Sequence, residues 1–121
     1  MALGKIDHIS MGCDDAEKTE KYFVEKLGFK LLRHTEHGAK AFELQSPAGD
    51  FFFDFHERSK DTVPPGFGHI AFKVDDINKE CEELKSKGLP IQGPGFTATT
   101  GRTLANVPDA DGRFWIQLSE R

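Results

Sequence analysis

The chain contains two copies of one pattern, and that repetition constrains its fold more than any other feature. Asp7-His8-Ile9-Ser10 is matched by Gly68-His69-Ile70-Ala71 at an offset of 61 residues, and Asp14-Asp15-Ala16 by Asp75-Asp76-Ile77 at the same offset. Later, the ten residues Ser46 to Phe55 are matched by Asp109 to Leu118 at an offset of 63. The two extra residues of the second copy are expected in the Gly/Pro/Thr-rich stretch from Gly93 to Gly101. Asp/Gly turns recurring by chance would not bring two matched blocks in the same order. The 121 residues therefore read as one domain made of two modules, 1–60 and 61–121, joined near Asp61-Thr62-Val63-Pro64-Pro65-Gly66.

Each module reads as strand, helix, then three strands, a βαβββ unit. Ile6 to Met11 alternates, with Ile9 and Met11 on one face and His8 and Ser10 on the other. Asp14 and Glu17 have the spacing of a capping box, opening a helix with an apolar stripe of Ala16, Phe23 and Leu27 and with Tyr22 alongside. Gly28 stands where a left-handed C-terminal residue belongs. The second helix carries Ile77, Cys81 and Leu84 and ends at Gly88. Phe29 to Arg33 and Lys40 to Gln45, either side of His37-Gly38, form a hairpin, and the last strand is Asp50 to His56. The second module repeats this with Gly101 to Val107, a turn at Asp109 to Gly112, and Arg113 to Ser119. Gly93 to Gly101 lacks the GK[ST] ending of a phosphate loop and reads as a flexible segment.

Composition excludes several classes. Sixteen Lys and Arg against twenty Asp and Glu give a net charge of −4, whereas a nucleic-acid binder needs a basic face. Cys13 and Cys81, without a CxxC spacing, make neither a disulfide framework nor a cysteine zinc site, and suit a reducing compartment. The first residues carry no apolar run and no stretch approaches a membrane span, so a cytoplasmic protein with no membrane partner is expected.

Strand parity then sorts the side chains. Phe51, Phe53 and Phe55 share the face under the first helix, leaving Phe52, Asp54 and His56 on the other; Phe114, Ile116 and Leu118 likewise leave Trp115, Gln117 and Ser119. Four equivalent strands thus each place one coordinating-type side chain on the face away from the helices: His8, Asp54, His69 and Gln117. Two imidazoles, a carboxylate and an amide oxygen suit Zn²⁺, Ni²⁺, Fe²⁺ or Mn²⁺. A lone strand His is more often a hydrogen-bonded structural residue than a ligand, and Gln117 is the weakest member. Asp54 among four Phe needs a partner or a cation. Phe52 and Trp115 flank these positions, either filling a core or lining a pocket for an apolar substrate, and Arg102 is a candidate for meeting an anionic substrate group.

The motifs Asp7-His8-Ile9, Tyr22-Phe23 leading to Leu27-Gly28-Phe29, Gly68 to Asp76 and Asp109 to Leu118 resemble the vicinal oxygen chelate superfamily: glyoxalase I, methylmalonyl-CoA epimerase, fosfomycin-resistance enzymes, extradiol dioxygenases and bleomycin-binding proteins. The resemblance spans essentially the whole chain. It implies an α+β fold, two βαβββ modules in tandem forming an open U-shaped mixed sheet with helices on the outer face, in a homodimer whose sites are lined by modules of both subunits. It also implies a divalent metal ion held by one residue of each of those four strands, here His8, Asp54, His69 and Gln117. Glyoxalase I usually has Glu at both fourth-strand positions, and the epimerase has Gln then Glu; this chain has Asp then Gln. The Glu matching Gln117 commonly moves protons as well as binding metal, and a Gln amide takes no proton at neutral pH. Another carboxylate must serve. Glu43, in Ala41-Phe42-Glu43-Leu44, corresponds with one gap to a catalytic Glu of the epimerase, although an exposed strand residue is an equal reading; Asp54 could instead be both ligand and base.

The function expected is a metal-dependent lyase or isomerase transferring a proton next to a metal-chelated oxygen pair of a small carbonyl or thioester substrate, with a thiol-containing substrate among the options. The alternatives are an extradiol-type dioxygenase with a two-His-one-carboxylate iron, and a non-catalytic drug-binding or resistance protein using the same cup.

Overall fold

The computed structural model of the protein describes residues 3–36, 40–58, 66–97 and 101–120. The turn expected at His37-Gly38 and the linker over 61–65 lie outside the described residues. Ten elements follow in chain order. They are β1 (Ile6–Cys13), α1 (Ala16–Leu27), β2 (Lys30–Glu36), β3 (Lys40–Gln45), β4 (Phe52–Glu57), β5 (Gly66–Lys73), α2 (Ile77–Ser86), β6 (Gln92–Thr97), β7 (Arg102–Pro108) and β8 (Trp115–Glu120). The described residues thus hold two βαβββ modules. They form two compact units: 8–68, and 69–121 together with 1–7. Residues 4 and 5 are tied to the second unit through Gly4 N–H donating to Lys73 O (2.7 Å) and Lys73 N–H to Lys5 O (2.9 Å).

In the first module the strands lie in the order β2-β3-β4-β1, and in the second β6-β7-β8-β5. In both modules the strand directions are mixed: the first strand of the module runs parallel to the fourth, and the hairpin strands are antiparallel. A parallel neighbour requires a crossover, which the helix supplies. Helix and sheet share one apolar face. In the first module Met11, Phe23, Phe29, Phe53 and Phe55 pack with Ala16, Phe42 and Leu44, and the Phe23 ring sits 5.1 Å from both Phe29 and Phe55. In the second, Ile77, Cys81 and Leu84 of α2 cover Ala105 and Leu118. Leu27 and Tyr22, read as part of the first helix's stripe, are instead exposed, because α1 turns those positions away from its sheet.

The repeat extends to individual hydrogen bonds. Each helix is capped by an Asp whose side chain accepts from the N–H three residues on, Asp15 from Lys18 and Asp76 from Lys79. A Glu at the end of the fourth strand accepts the first helical N–H, Glu57 from Ala16 (2.8 Å) and Glu120 from Ile77 (3.3 Å). The cap of α1 is therefore Asp15 rather than Asp14, which pairs with Arg58 at 3.2 Å. Both β3–β4-type turns close alike: Gly49 N–H donates to Ser46 O and Gly112 N–H to Asp109 O, each glycine at positive φ near 70–79°.

Gly93 to Gly101, read as a flexible segment, instead contributes β6, which pairs antiparallel with β7. It is the outermost strand of its module, where Pro94 removes no ladder donor that a neighbour needs. A break in register between Gln92 and Gly95 accommodates the Gly-Pro-Gly run.

Replacing Asp15 or Asp76 by Ala should each lower stability by about 1 kcal/mol in urea unfolding, with Asp14→Ala clearly less damaging. Asp109 offers a second test. The backbone N–H of Phe114, with those of Arg113 and Asp111, holds its carboxyl below the usual carboxylate range. A depressed folded-state value means a stabilisation that is full above the ordinary carboxylate value and is lost as pH falls through the folded one. The stability difference between wild type and Asp109→Ala should therefore be present at pH 6 and shrink on strong acidification. A difference constant down to pH 2 would contradict this.

Candidate functional site

The face of each sheet away from its helix carries the polar residues. In the first module, parallel pairing sets His8 beside Phe52 and Ser10 beside Asp54, so His8 and Asp54 sit diagonally on neighbouring strands. In the second module, His69 lies beside Trp115 and Ala71 beside Gln117, which is the same diagonal. The two modules thus present identical two-residue patterns, one imidazole and one oxygen donor each. The His8 ring stacks on Phe52 at 5.1 Å, and both are buried. Trp115, the counterpart of Phe52, is 42% exposed.

The antiparallel pairings extend each pattern into a row across the sheet. In the first module Glu43 lies opposite Asp54 and Arg33 opposite Glu43, giving Arg33–Glu43–Asp54–Ser10. Register places Asn106 opposite Gln117 and Gln92 opposite Asn106, giving Gln92–Asn106–Gln117–Ala71 in the second. One row is charged and the other is made of neutral amides. Glu43, for which an exposed strand position was an equal reading, is 3% exposed. Its carboxylate is gripped by the Arg33 fork, Nε to Oε1 at 3.0 Å and Nη2 to Oε2 at 3.2 Å. Glu43 in turn raises the pKa of the Arg33 guanidinium.

Asp54 is 9% exposed and has His56 Nε2 3.3 Å from its Oδ1. Asp54 is the main cause of an upward push on the His56 imidazole; burial opposes it and the charge of Glu43 adds to it. His56 thus shares the polar face of β4 with Asp54, whereas His34 lies exposed and pairs with Glu20 at 2.8 Å.

Gln117 donates from Nε2 to Asn106 Oδ1 at 3.1 Å. Its Oε1 is buried and has no hydrogen-bond partner among the described residues. An unsatisfied buried carbonyl oxygen costs about 1–3 kcal/mol, so its persistence at a candidate ligand position is informative. His8, Asp54, His69 and Gln117 carry nitrogen and oxygen donors of the kind a borderline divalent ion takes, and the amide oxygen has no donor hydrogen-bonded to it among the described residues. The donor chemistry fits. Among the described residues, no group of three or more His, Cys, Asp or Glu side chains is gathered as an ion-binding site.

Arg102 sits differently from a residue poised to meet a substrate anion. Its Nε lies 3.7 Å from Asp7 Oδ2, and both side chains are 2% exposed, so its charge is balanced inside its own unit. Cys13 and Cys81 are free and buried; burial pushes both thiols up, which disfavours the nucleophilic thiolate. Two surface grooves along α1, one at Glu20, Val24 and His34 and the other at Cys13, Thr19 and Tyr22, contain none of the candidate residues.

Sequence reading missed Arg33 and Asn106. Arg33 could not be placed, because β2 shifts register between Leu31 and Arg33. Asn106 had a signal: the offset of 63 that aligns Asp54 with Gln117 also aligns Glu43 with Asn106.

Paired βαβββ modules presenting one imidazole and one oxygen donor each define a class of small α+β proteins built by duplication around a polar face. The chain belongs to the Glyoxalase/Bleomycin resistance protein/Dioxygenase superfamily, whose family model matches residues 5–117. It is 33% identical over 120 residues to the Bacillus subtilis protein YwkD, covering 92% of this chain and 93% of that one. It is 29% identical to a probable lactoylglutathione lyase of Vibrio parahaemolyticus, covering 98% and 91%. The structure of methylmalonyl-CoA epimerase from Mycobacterium tuberculosis superposes with a TM-score of 0.83 over 99% of this chain and 91% of that one, at 20% identity, which shows a shared fold. A relative in sequence is thus named as a probable lyase, and a protein of the same fold as an epimerase. Among the described residues, no helix is long and apolar enough to cross a membrane.

A double-mutant cycle on Arg33 and Glu43 should give a coupling of about 1–2 kcal/mol, between the values for exposed and for buried pairs, since the arginine is half exposed and the glutamate buried. Glu43→Gln in an Arg33→Ala background should then cost less than in wild type. Additive effects in chemical denaturation would show that the fork is not formed in solution.

Proposed function

We propose that this protein is a divalent-metal-dependent lyase or isomerase of the glyoxalase type, moving a proton next to the chelated oxygens of a small carbonyl or thioester compound. His8, Asp54, His69 and Gln117 are the residues that would hold the ion, and Glu43 is the base, with Asp54 the alternative proton carrier. When bound, a divalent ion polarises the substrate oxygens and so acidifies the neighbouring carbon. The candidate ions are Zn, Ni, Fe and Mn.

The observation that carries the reading is the contrast between the two rows. Glu43 and Asp54 are buried neighbours in the first module, and their counterparts are the amides Asn106 and Gln117. Amides accept hydrogen bonds but take no proton at neutral pH, so Gln117 serves as a ligand only. The base must come from the carboxylate row. Arg33 holds the Glu43 carboxylate by two parallel bonds, which fixes its plane. A carboxylate has about four lone-pair sites, so a fork that engages two orients it without exhausting its capacity for a proton. With carboxylates in one row only, the same group that takes the proton returns it. That favours relocation of a proton between adjacent atoms, as in the lyase reaction, over inversion of one carbon, which needs an acid and a base on opposite faces. Phe52 and Trp115 are proposed as the apolar contacts of the substrate; Arg102, buried on Asp7, would act there only through a rearrangement. A homodimer in the cytoplasm, with no nucleic-acid partner, completes the proposal.

The assay combines protein stripped of metal and reloaded with Zn²⁺, Ni²⁺, Fe²⁺ or Mn²⁺ with either the glutathione hemithioacetal of methylglyoxal or methylmalonyl-CoA. Isomerisation of the hemithioacetal should appear on reloading and fall about 100-fold or more in Glu43→Gln, the scale of a lost general base. Turnover that persists in stripped protein, or is untouched by Glu43→Gln, would refute the assignment.

A further inference from the structure

We propose that Asn106 is a positioning residue that fixes the Gln117 amide so that its oxygen, not its nitrogen, is presented to a divalent cation. This rests on the ion-holding role given to Gln117 above, and it adds a residue and a polarity that the ligand set does not contain. A glutamine is an ambiguous ligand. Its two ends differ in sign, only the carbonyl can coordinate, and a half-turn of the terminal torsion exchanges them. A carboxylate at that position needs no such guide, because both of its oxygens are acceptors.

The geometry resolves the ambiguity on one side. Asn106 is the direct antiparallel neighbour of Gln117. Its Oδ1 accepts from Gln117 Nε2 at 3.1 Å, which turns the nitrogen end toward β7, the polarity that Asn106→Asp, an acceptor only, would enforce. On the other side the neighbour is Ala71, fully buried, whose methyl offers no donor to the oxygen. Oε1 is left buried with no hydrogen-bond partner among the described residues. A buried acceptor that makes no hydrogen bond to the described residues, with its own nitrogen engaged elsewhere, is arranged for a cation. The equivalent position in the first module is Glu43, opposite Asp54, where no amide needs orienting and the residue is committed to Arg33 instead. The same place in the repeat thus supplies a base in one module and an orienting acceptor in the other.

Asn106→Leu removes the acceptor at similar volume; Asn106→Asp keeps it. The first measurement is metal-free: the side-chain amide proton resonances of Gln117, identified as the pair lost in Gln117→Ala. They should keep their hydrogen-bonded positions in Asn106→Asp and move toward those of a freely rotating amide in Asn106→Leu. The second is Ni²⁺ or Mn²⁺ titration by calorimetry. Asn106→Leu should weaken binding about 10-fold or more, the scale seen for residues that orient a ligand. Asn106→Asp should bind at least as tightly as wild type, and Asn106→Leu should have no further effect once Gln117 is Ala. Gln117 resonances unmoved by Asn106→Leu, or ion affinity unchanged in that variant, would overturn the proposal. Wild-type protein that takes up no ion would instead sink the ligand set of the proposed function, and the resonances alone would then decide the orienting role of Asn106. Circular dichroism of each variant separates misfolding from either result.

Discussion

The parallel pairing of the first and fourth strands in each module is the constraint on which the rest depends. It fixes register as well as neighbourhood. Because side chains alternate along a strand, one residue of slip would send His8 and Asp54, or His69 and Gln117, into the helix-covered core. The apolar alternation on the other face prevents that slip. In the first module Met11, Phe53 and Phe55 must stay under α1, and in the second Leu118 under α2. The helix is the crossover that parallel pairing needs and also the cover that gives the sheet a dry side. Packing on one face therefore holds the chemistry on the other in place.

The duplication preserved this frame down to single hydrogen bonds while the polar face diverged. The caps Asp15 and Asp76, the helix-start acceptors Glu57 and Glu120, and the glycine turns at Gly49 and Gly112 occur in both modules. The rows behind them do not match: Arg33, Glu43 and Asp54 face one way in chemistry and Gln92, Asn106 and Gln117 another. Residues that make the fold are under the same physical demand in each copy. Residues on the polar face are not, and there the copies divide into a half with proton-accepting groups and a half with neutral donors.

Much of this was legible from the residues. The repeat located both modules, and strand parity placed His8, Asp54, His69 and Gln117 on the face away from the helices, because those strands are short, regular and strongly patterned. What escaped was set by irregularity or competition. Arg33 depends on a break in register within β2, which no alternation pattern reveals. β6 was hidden because Gly93, Pro94 and Gly95 have poor strand propensity, and its place at the sheet edge next to β7 overrides that preference. Two adjacent aspartates, Asp14 and Asp15, compete for one cap, and local spacing favours the one that the helix does not use. Arg102 looked available because it follows a glycine in an open-looking segment, but it is buried against Asp7, nearly a hundred residues earlier, a contact that only tertiary structure supplies.

The proposed function has His8, Asp54, His69 and Gln117 as ligands of a divalent ion. Anomalous diffraction from crystals grown with Mn²⁺ tests it most directly. A strong peak is expected within coordination distance of His8, Asp54, His69 and the carbonyl oxygen of Gln117, with the Gln117 nitrogen turned to Asn106. A peak elsewhere, or none at these residues in crystals saturated with the ion, would contradict it.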